Sequence, residues 1–423
     1  MPDALTLCEH FGECGGCLNQ DVPYEEQVVL KQKALRELFQ GLWDAPIPIT
    51  PSPVLWRYRN KIDPSFALKW YPEPPPPGFQ RDTVLGFKCR GKWFKPLDIE
   101  ECRIGPTGLE ALLRGVRVWR ETYELRACEP RRQQGYLRHL LVRDGKRANE
   151  RMVVLLTMPG TLKAAEQFVA MVLDTFNATS IYHGEFAGRA EVATADTLTL
   201  LHGNDVIHET LCVTETLDAA PTYDAPEEFI AHDTRQTSSL VYRISPLSFF
   251  QTNPLAAERL YGHIRAWALQ RSQTVLFDLY GGSGGIALSC ADCADEIVSV
   301  ENVASATEDG VCNARANHVE NVAFVTDSVR NFLRQKVEGV GLPKDSVVVA
   351  DPPRAGMHPK VIKRLIQLQP RRLLYVSCNP KRLREEAPAF LDSYRLADLR
   401  AVDMFPHTPH VEALAAFERI ATQ

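Results

Sequence analysis

The rhythm of apolar and polar positions changes along the chain. In residues 24–41, Val28, Leu35, Leu38 and Phe39 fall at helical spacing, which predicts an amphipathic helix ending at Gly41. Residues 54–104 lack that period; RYRNKIDPSFALKW, VLGFKC and KWFKPLD read as extended segments. Between them the prolines of residues 71–78 favour a polyproline-like loop. Residues 106–127 read as helical, and 135–158 as a hairpin with a basic turn. Mixed helix and strand segments continue to about residue 244, with no internal repeat.

From about residue 255 the texture becomes alternating. A helix at 254–269 precedes a strand at 274–279 and a glycine-rich turn. Strands at 296–300, 322–326, 346–350 and 372–377 then alternate with helices at 303–317, 328–336 and 359–367. Strands separated by helix-length segments predict an α/β fold with a parallel, doubly wound sheet. Residues 396–404 and 411–417 lack an intervening helix and predict an antiparallel pair at the sheet edge. The expected organisation is a cysteine-rich segment at 1–23, a central α+β domain at 24–240 and an α/β domain at 241–423, on which helix 24–41 is free to pack.

Composition narrows the function. The chain has 423 residues, room for roughly two to three domains. Its 45% hydrophobic and 24% charged content supports packed cores rather than disorder. Apolar runs such as 152–158, 347–350 and 373–376 are strand-sized, short of the roughly 20 residues a membrane span needs. The N-terminus has no basic start, so a cytoplasmic protein without a membrane partner is expected. A net charge of −5 confines any nucleic-acid surface to a local patch. Eleven cysteines without an export signal point to metal, iron–sulfur or catalytic use rather than disulfides.

The turn Phe277-Asp-Leu-Tyr-Gly-Gly-Ser-Gly-Gly-Ile-Ala287 joins a strand to a helix, so its backbone can approach a ligand closely. Glu301 ends the next strand, where a carboxylate can accept ribose hydroxyls. S-adenosylmethionine (SAM), a nicotinamide dinucleotide and a ligand-free turn all fit this segment. DPPR, beginning at Asp351, and SCNP, holding Cys378, each follow a strand and so belong to the sheet edge where ligands bind. A helix start beside Cys378 predicts a lowered thiol pKa, although a lone strand-end cysteine also serves as core filler. Glu412 closes DMFPHTPHVE and begins the next strand.

Near the N-terminus, Cys8, Cys14 and Cys17 form a three-thiol cluster with glycines between them. A 4Fe-4S cluster, structural zinc with His10 as a possible ligand, and free thiols all suit the spacing. Cys290 and Cys293 form a lone CxxC that reads as helix packing. Cys89, Cys128, Cys212 and Cys312 carry no signal. Residues 131–151 hold Arg131, Arg132, Arg138, Arg143, Lys146, Arg147 and Arg151 against two acids, and Arg57, Arg59, Lys61 and Lys69 interleave with Trp56, Tyr58 and Trp70. Such sets suit phosphates and unpaired bases, or a solvated face.

The ordered motifs FFQTNP, DLYGGSGG, DPPR, SCNP and DMFPHTPHVE resemble the RNA uracil-5 methyltransferase family, which includes tRNA and 23S rRNA 5-methyluridine enzymes. The resemblance implies a Rossmann-like class I SAM-dependent methyltransferase sheet, an N-terminal iron–sulfur segment and an α+β RNA-binding domain. It implies Cys378 as nucleophile and Glu412 as general base, with Gln251, Tyr280, Gly282, Glu301 and Asp351 around SAM. Asp351 is also a candidate for the uracil edge. Arg354 is a candidate phosphate or thiol contact, with a surface salt bridge as its alternative. It makes Cys102 the fourth ligand of a 4Fe-4S cluster with Cys8, Cys14 and Cys17. The chemistry accounts for the residue types: a thiolate added to uracil C6 makes C5 nucleophilic, and a base must then remove the C5 proton. RNA is the implied partner, with no protein partner indicated.

Many relatives carry a cysteine after the loop aromatic, where this chain has Gly281. Gly285, and the expected absence of the TRAM domain, resemble the subgroup acting on 23S rRNA uracil-747. The expected substrate is therefore 23S rRNA. The alternatives are a tRNA uracil-C5 methyltransferase, an NAD-dependent oxidoreductase with an iron–sulfur module, and a non-catalytic RNA-binding protein.

Overall fold

A computed structural model describes residues 7–73, 75–76, 78–129, 132, 134–213, 238–268 and 275–420. Arg131, part of the 71–78 loop (residues 74 and 77), and residues 269 and 274 of the expected helix and strand lie outside them. No helix among the described residues is long and apolar enough to cross a membrane. The sequence suggested divisions at residues 23 and 240, in chain order. Contacts instead sort the chain into two units, one of residues 1–22, 55–209 and 244–247, the other of 23–54, 210–243 and 248–423.

The second unit carries the doubly wound sheet. Its strands are β1 (Ile49–Thr50), β2 (Val275–Leu279), β3 (Glu296–Glu301), β4 (Val322–Thr326), β5 (Val347–Ala350), β6 (Arg372–Ser377), β7 (Tyr394–Val402) and β8 (Glu412–Arg419). The order across the sheet is β1-β7-β8-β6-β5-β2-β3-β4. β2 pairs in parallel with both β3 and β5, so the winding reverses between β2 and β5, where open α/β sheets leave a crevice for ligands. β8 is antiparallel to both β6 and β7. The antiparallel pair expected at the edge is not the outermost element, because β1 adds in parallel beyond β7.

Helices α1 (Tyr24–Phe39), α2 (Pro254–Ala268), α3 (Gly285–Ser289), α4 (Ala304–Ala316), α5 (Val329–Glu338), α6 (Pro359–Leu368) and α7 (Pro380–Glu386) complete this unit. The buried stripe of α1 is Tyr24, Gln27, Lys31, Leu35 and Phe39. Leu35 and Phe39 join a core with Leu279, Val300, Tyr375 and Phe417. Helix α1 thus belongs with a sheet most of whose strands it precedes by more than two hundred residues.

The first unit is a mixed sheet in the order Lys92–Asp98, Thr83–Cys89, Ser65–Leu68, Leu137–Gly145, Glu150–Thr157, Ser180–Glu185, Thr197–Gly203, with Lys61–Ile62 beside Leu137–Gly145. Helices Leu109–Thr122 and Ala165–Phe176 supply Leu112, Val116, Phe168 and Val172 to its core.

The basic hairpin is present, but most of its cations do not form a solvated RNA face. Every residue of Leu137–Gly145 is buried. Arg138 donates to the Gly188 and Ala190 carbonyls and lies over Phe186, while Arg143 donates to the Pro246 carbonyl. Lys146 and Arg151 both pair with Asp144. In the second aromatic–basic stretch Tyr58 is buried, Arg57 pairs with Glu110, and the Arg103 guanidinium covers Trp56. Lys69 and Trp70 of that stretch do face solvent. Composition counted these charges correctly; burial in the sheet removed Arg138 and Arg143 from the surface, and acids engage Arg57, Lys146 and Arg151.

Candidate active site

The turn after β2 is tied down by its backbone. Tyr280 and Gly281 both donate to the Val300 carbonyl. Tyr280 sits at φ +65°, a costly conformation for a bulky residue that the surrounding bonds hold in place. A Cβ on Gly281 would collide with Ser299 Oγ and lie 2.7 Å from Asp278 Oδ2. Any side chain at position 281 would have to displace the Ser299 and Asp278 side chains, so the local packing favours glycine there. Glu301 Oε1 accepts from the amides of Asn302 (2.7 Å) and Val303 (2.9 Å), and its Oε2 accepts from Gly282 (3.2 Å). Gln251, Tyr280, Gly282 and Asp351 line one cavity with Phe249 and Tyr261. Glu301 does not line it, but is tied to its rim through the Gly282 amide.

Beneath the turn, Asp278 is wholly buried and burial pushes its carboxyl up to about 7. Its Oδ2 accepts from Ser299 Oγ and the Ala287 amide, whereas Oδ1 has no partner among the described residues. Asp351, half-buried at the end of β5, is also pushed up to about 7, first by burial and then by Asp278.

Register brings the thiol and the acid together. Ser377 pairs with Ala413 at the end of the β6–β8 ladder, so Cys378 and Glu412 are the neighbours of that last pair on the same side. Burial, followed by the Glu412 and Asp351 charges, pushes the Cys378 thiol up to about 11, against a lowering by Arg354. The lowered pKa expected from the helix start is thus corrected: desolvation and two carboxylates outweigh it. Glu412 is 4% exposed and held well above the usual carboxylate range by burial and then by Asp351; its Oε2 has no partner among the described residues. Asn379 donates to the Arg354 carbonyl, and Glu386 at the end of α7 accepts from the Met357 amide and the Tyr375 hydroxyl. These bonds lock the DPPR and SCNP loops to each other.

The loop before Glu412 is held by α1. Lys31 donates to Asp403 Oδ1 at 2.8 Å and to the Phe405 carbonyl at 3.1 Å. Gln27 accepts from the His407 amide, and its Nε2 lies 3.2 Å from His407 Nδ1. Asn253 of FFQTNP donates to the Met404 carbonyl and Ser52 Oγ. Both charges of the Lys31–Asp403 pair are buried, so removing one strands the other. Lys31→Ala is expected to lower unfolding free energy by about 3–5 kcal/mol, read from denaturant midpoints. A loss below about 1 kcal/mol, the range of surface pairs, would contradict this account.

Sequence reasoning missed Gln27, Lys31, Asp278 and Glu386. Two polar residues on the stripe Tyr24, Gln27, Lys31, Leu35, Phe39 were the signal available for α1. Nothing local marks Glu386.

In the other unit, Cys8, Cys14, Cys17 and Cys102 line one cavity of about 610 Å³. Cys89, which carries no sequence signal, lines it too, opposite Cys14 in an isolated antiparallel bridge. Burial raises all four expected ligand thiols, Cys8 to about 11 and Cys102 to about 12. Among the described residues no group of three or more His, Cys, Asp or Glu side chains is gathered in metal-chelating geometry. His10 Nε2 accepts from the Glu100 amide.

The family model described as tRNA (Uracil-5-)-methyltransferase matches residues 226–420. A Clostridium tetani protein described as an uncharacterized RNA methyltransferase is 30% identical over 421 residues, 97% of this chain and 83% of that protein. The tRNA (uracil(54)-C(5))-methyltransferase of Pyrococcus furiosus is 30% identical over 414 residues, 98% of this chain and 85% of that one. The crystal structure of the Pyrococcus abyssi tRNA (uracil-54, C5)-methyltransferase with S-adenosyl-L-homocysteine matches at TM-score 0.70 and 27% identity, covering 95% of this chain and 85% of that one. The likeness runs through both units and not only through the doubly wound sheet, and the chain belongs to the family of RNA uracil-5 methyltransferases.

Proposed function

We propose that this enzyme transfers a methyl group from SAM to C5 of a uridine in RNA, through a transient bond between Cys378 and C6 of the base. The juxtaposition of Cys378 and Glu412, each next to the Ser377–Ala413 pair, carries the proposal. When bound, SAM supplies an electrophilic methyl group on a sulfonium. Its place is the sheet's switch point, where Gln251, Tyr280, Gly282 and Asp351 line one cavity at the mouth of the glycine-rich turn. Glu301, held by three backbone amides, is poised to accept ribose hydroxyls. The P. abyssi relative crystallised with S-adenosyl-L-homocysteine, the demethylated product of that donor, supports this reading.

Cys378, having given its proton to solvent, adds as thiolate to C6, and the C5=C6 electron pair moves toward C5 and O4. C5 takes the methyl group as the methyl–sulfur bond of the donor breaks, leaving the donor as the neutral thioether. Glu412, whose buried Oε2 has no partner among the described residues, takes the C5 proton. The C–H electrons restore C5=C6 as the C6–S bond breaks, and Cys378 leaves as thiolate. Arg354, which lowers the Cys378 pKa, helps the sulfur carry negative charge. The oxidoreductase alternative is set aside, because the matched family transfers methyl groups.

Two RNA classes are supported. The resemblance of Gly285 to the uracil-747 subgroup points to 23S rRNA, whereas the P. furiosus and P. abyssi relatives are named for tRNA uracil-54. Mapping 5-methyluridine by mass spectrometry in tRNA and rRNA, from cells with and without the gene, tests both. Loss of one methylated uridine is the expected result, and an unchanged map in both RNAs overturns the assignment.

Cys8, Cys14, Cys17 and Cys102 are proposed to hold a 4Fe-4S cluster, which needs four thiolates and more room than one zinc ion with sulfurs about 2.3 Å away. Their shared cavity supports this, and a cationic core offsets the cost of ionising buried thiols. Protein prepared without oxygen is expected to be brown with about four irons per chain. One zinc per colourless chain would refute the cluster.

A further inference from the structure

Among the cations expected to meet RNA, Arg138 and Arg143 are buried and Arg57, Lys146 and Arg151 are engaged by acids, yet an RNA enzyme needs a surface for its substrate. The first unit offers another. Trp70, Phe79, Trp93 and Phe94 lie exposed within 25 residues of chain, Trp93 with 74% of its surface open to water. The Trp93 ring meets Phe94 edge-on at 5.9 Å, and Trp70 lies 6.2 Å from Phe94. Phe79 meets Tyr71 edge-on at 5.5 Å. Trp93 and Phe94 belong to Lys92–Asp98, the strand at one end of that unit's sheet order. Rings left in water on an edge strand are costly in the free protein and are a mark of a binding surface.

Charge tells which partner. Residues 69–95 carry Lys69, Arg81, Lys88, Arg90, Lys92 and Lys95 against Glu73 and Asp82, in a chain that is acidic overall. Lys69 lies over Tyr71 and Lys95 over Trp70, each 5.9 Å from the ring centre. Lys88 and Lys95 are partly engaged by Glu191 and Glu13. Beside the ridge, Ser65–Leu68, Arg81, Lys88, Trp93, Phe94 and Arg138 border a cavity of about 370 Å³, within the range of small-ligand pockets. Protein interfaces are depleted in lysine at their centres, whereas interleaved cations and open aromatic faces are how single-stranded nucleic acid is bound.

We propose that this ridge stacks unpaired bases of the RNA substrate, with Lys69, Arg90 and Lys92 on the flanking phosphates. The inference rests on the reading of the enzyme as acting on RNA, and it adds where that RNA is gripped. Stacking is sequence-tolerant, so the ridge supplies affinity for an unpaired segment and leaves the choice of uridine to other contacts.

The test uses the full chain with both ridge rings removed, Trp93→Ala with Phe94→Ala; because Trp93 also borders the cysteine cavity, the variant is compared with wild type at equal metal content and equal thermal midpoint. Affinity for a fluorescein-labelled short polyuridylate is expected to fall about tenfold or more, since each lost base–aromatic stack is worth about 1–3 kcal/mol. With RNA from cells lacking the gene, KM for RNA should rise more than kcat falls. Trp93→Phe should restore most of the affinity, and Lys92→Gln should reduce the salt dependence of binding by about one phosphate contact. If wild type methylates RNA and the double variant matches it in affinity and KM, the ridge assignment fails while the enzyme's function stands. Unchanged RNA affinity with altered sedimentation would make the ridge a protein interface and overturn the proposal. If wild type methylates no RNA, the functional reading falls and takes the ridge with it.

Discussion

Cys378→Ala is expected to lower methyl transfer to RNA by about 10⁴-fold or more while leaving RNA binding in place. Without a sulfur at C6, uracil C5 has no carbanion character and does not attack a methyl sulfonium at a useful rate. Two measurements check this. Labelled methyl from SAM should enter RNA with wild type and not with the variant. RNA containing 5-fluorouridine should form an adduct stable on a denaturing gel with wild type alone, because fluorine at C5 cannot leave as a proton. A variant that still methylates, or still forms the adduct, would show that another group is the nucleophile.

The same thiol makes a pH-dependent claim. Burial and two neighbouring carboxylates push it up to about 11, so near neutrality the protonated form dominates in the free enzyme. The thiolate is the reactive species, so alkylation of Cys378 by iodoacetamide should quicken steadily as pH rises from neutrality toward 11. A rate already flat at neutral pH would mean a depressed pKa and would contradict the geometry.

The candidate site was legible because each loop writes its candidate groups contiguously: DPPR after β5, SCNP after β6, and Glu412 at the start of β8. Alternating strand and helix patterns located β2 through β6 to within a residue or two at most ends, since those strands are short, apolar and bounded by helices. What sequence could not supply was pairing at a distance. Gln27 and Lys31 meet His407 and Asp403 across more than 370 residues, and no local rule links them. Glu386 likewise reads as an ordinary acid in a charged helix until Met357 and Tyr375 are seen to bond it. The basic hairpin was misread for another reason. In a strand buried on both faces, alternation no longer reports which side chains reach water, so Arg138 and Arg143 looked like surface charge. Cys89 carried no spacing signal because it comes from a strand, and only the bridge to Cys14 brings it to the cysteine cavity.

Glu412→Gln is expected to separate the two halves of the reaction. Addition and methyl transfer need the thiol and the donor; release needs a base for the C5 proton. Removing the base should slow product release by about 10²–10⁴-fold and leave methylated RNA joined to Cys378. The adduct should survive denaturation and carry one methyl group by mass. The position of the acid sets a pH sense as well: burial and Asp351 hold its carboxyl well above the usual range, and only the ionised form accepts a proton. In wild type, resolution of the adduct should therefore slow as pH falls, because the protonated form of Glu412 grows. Glutamine also removes a negative charge that raises the Cys378 pKa, so iodoacetamide should reach that thiol faster in the variant at alkaline pH. Those outcomes pull in opposite directions, a faster thiol and a slower enzyme, and a role for Glu412 in RNA binding alone yields neither. A variant that merely loses affinity for RNA, with no adduct and no change in thiol reactivity, would remove Glu412 from the proton-transfer step.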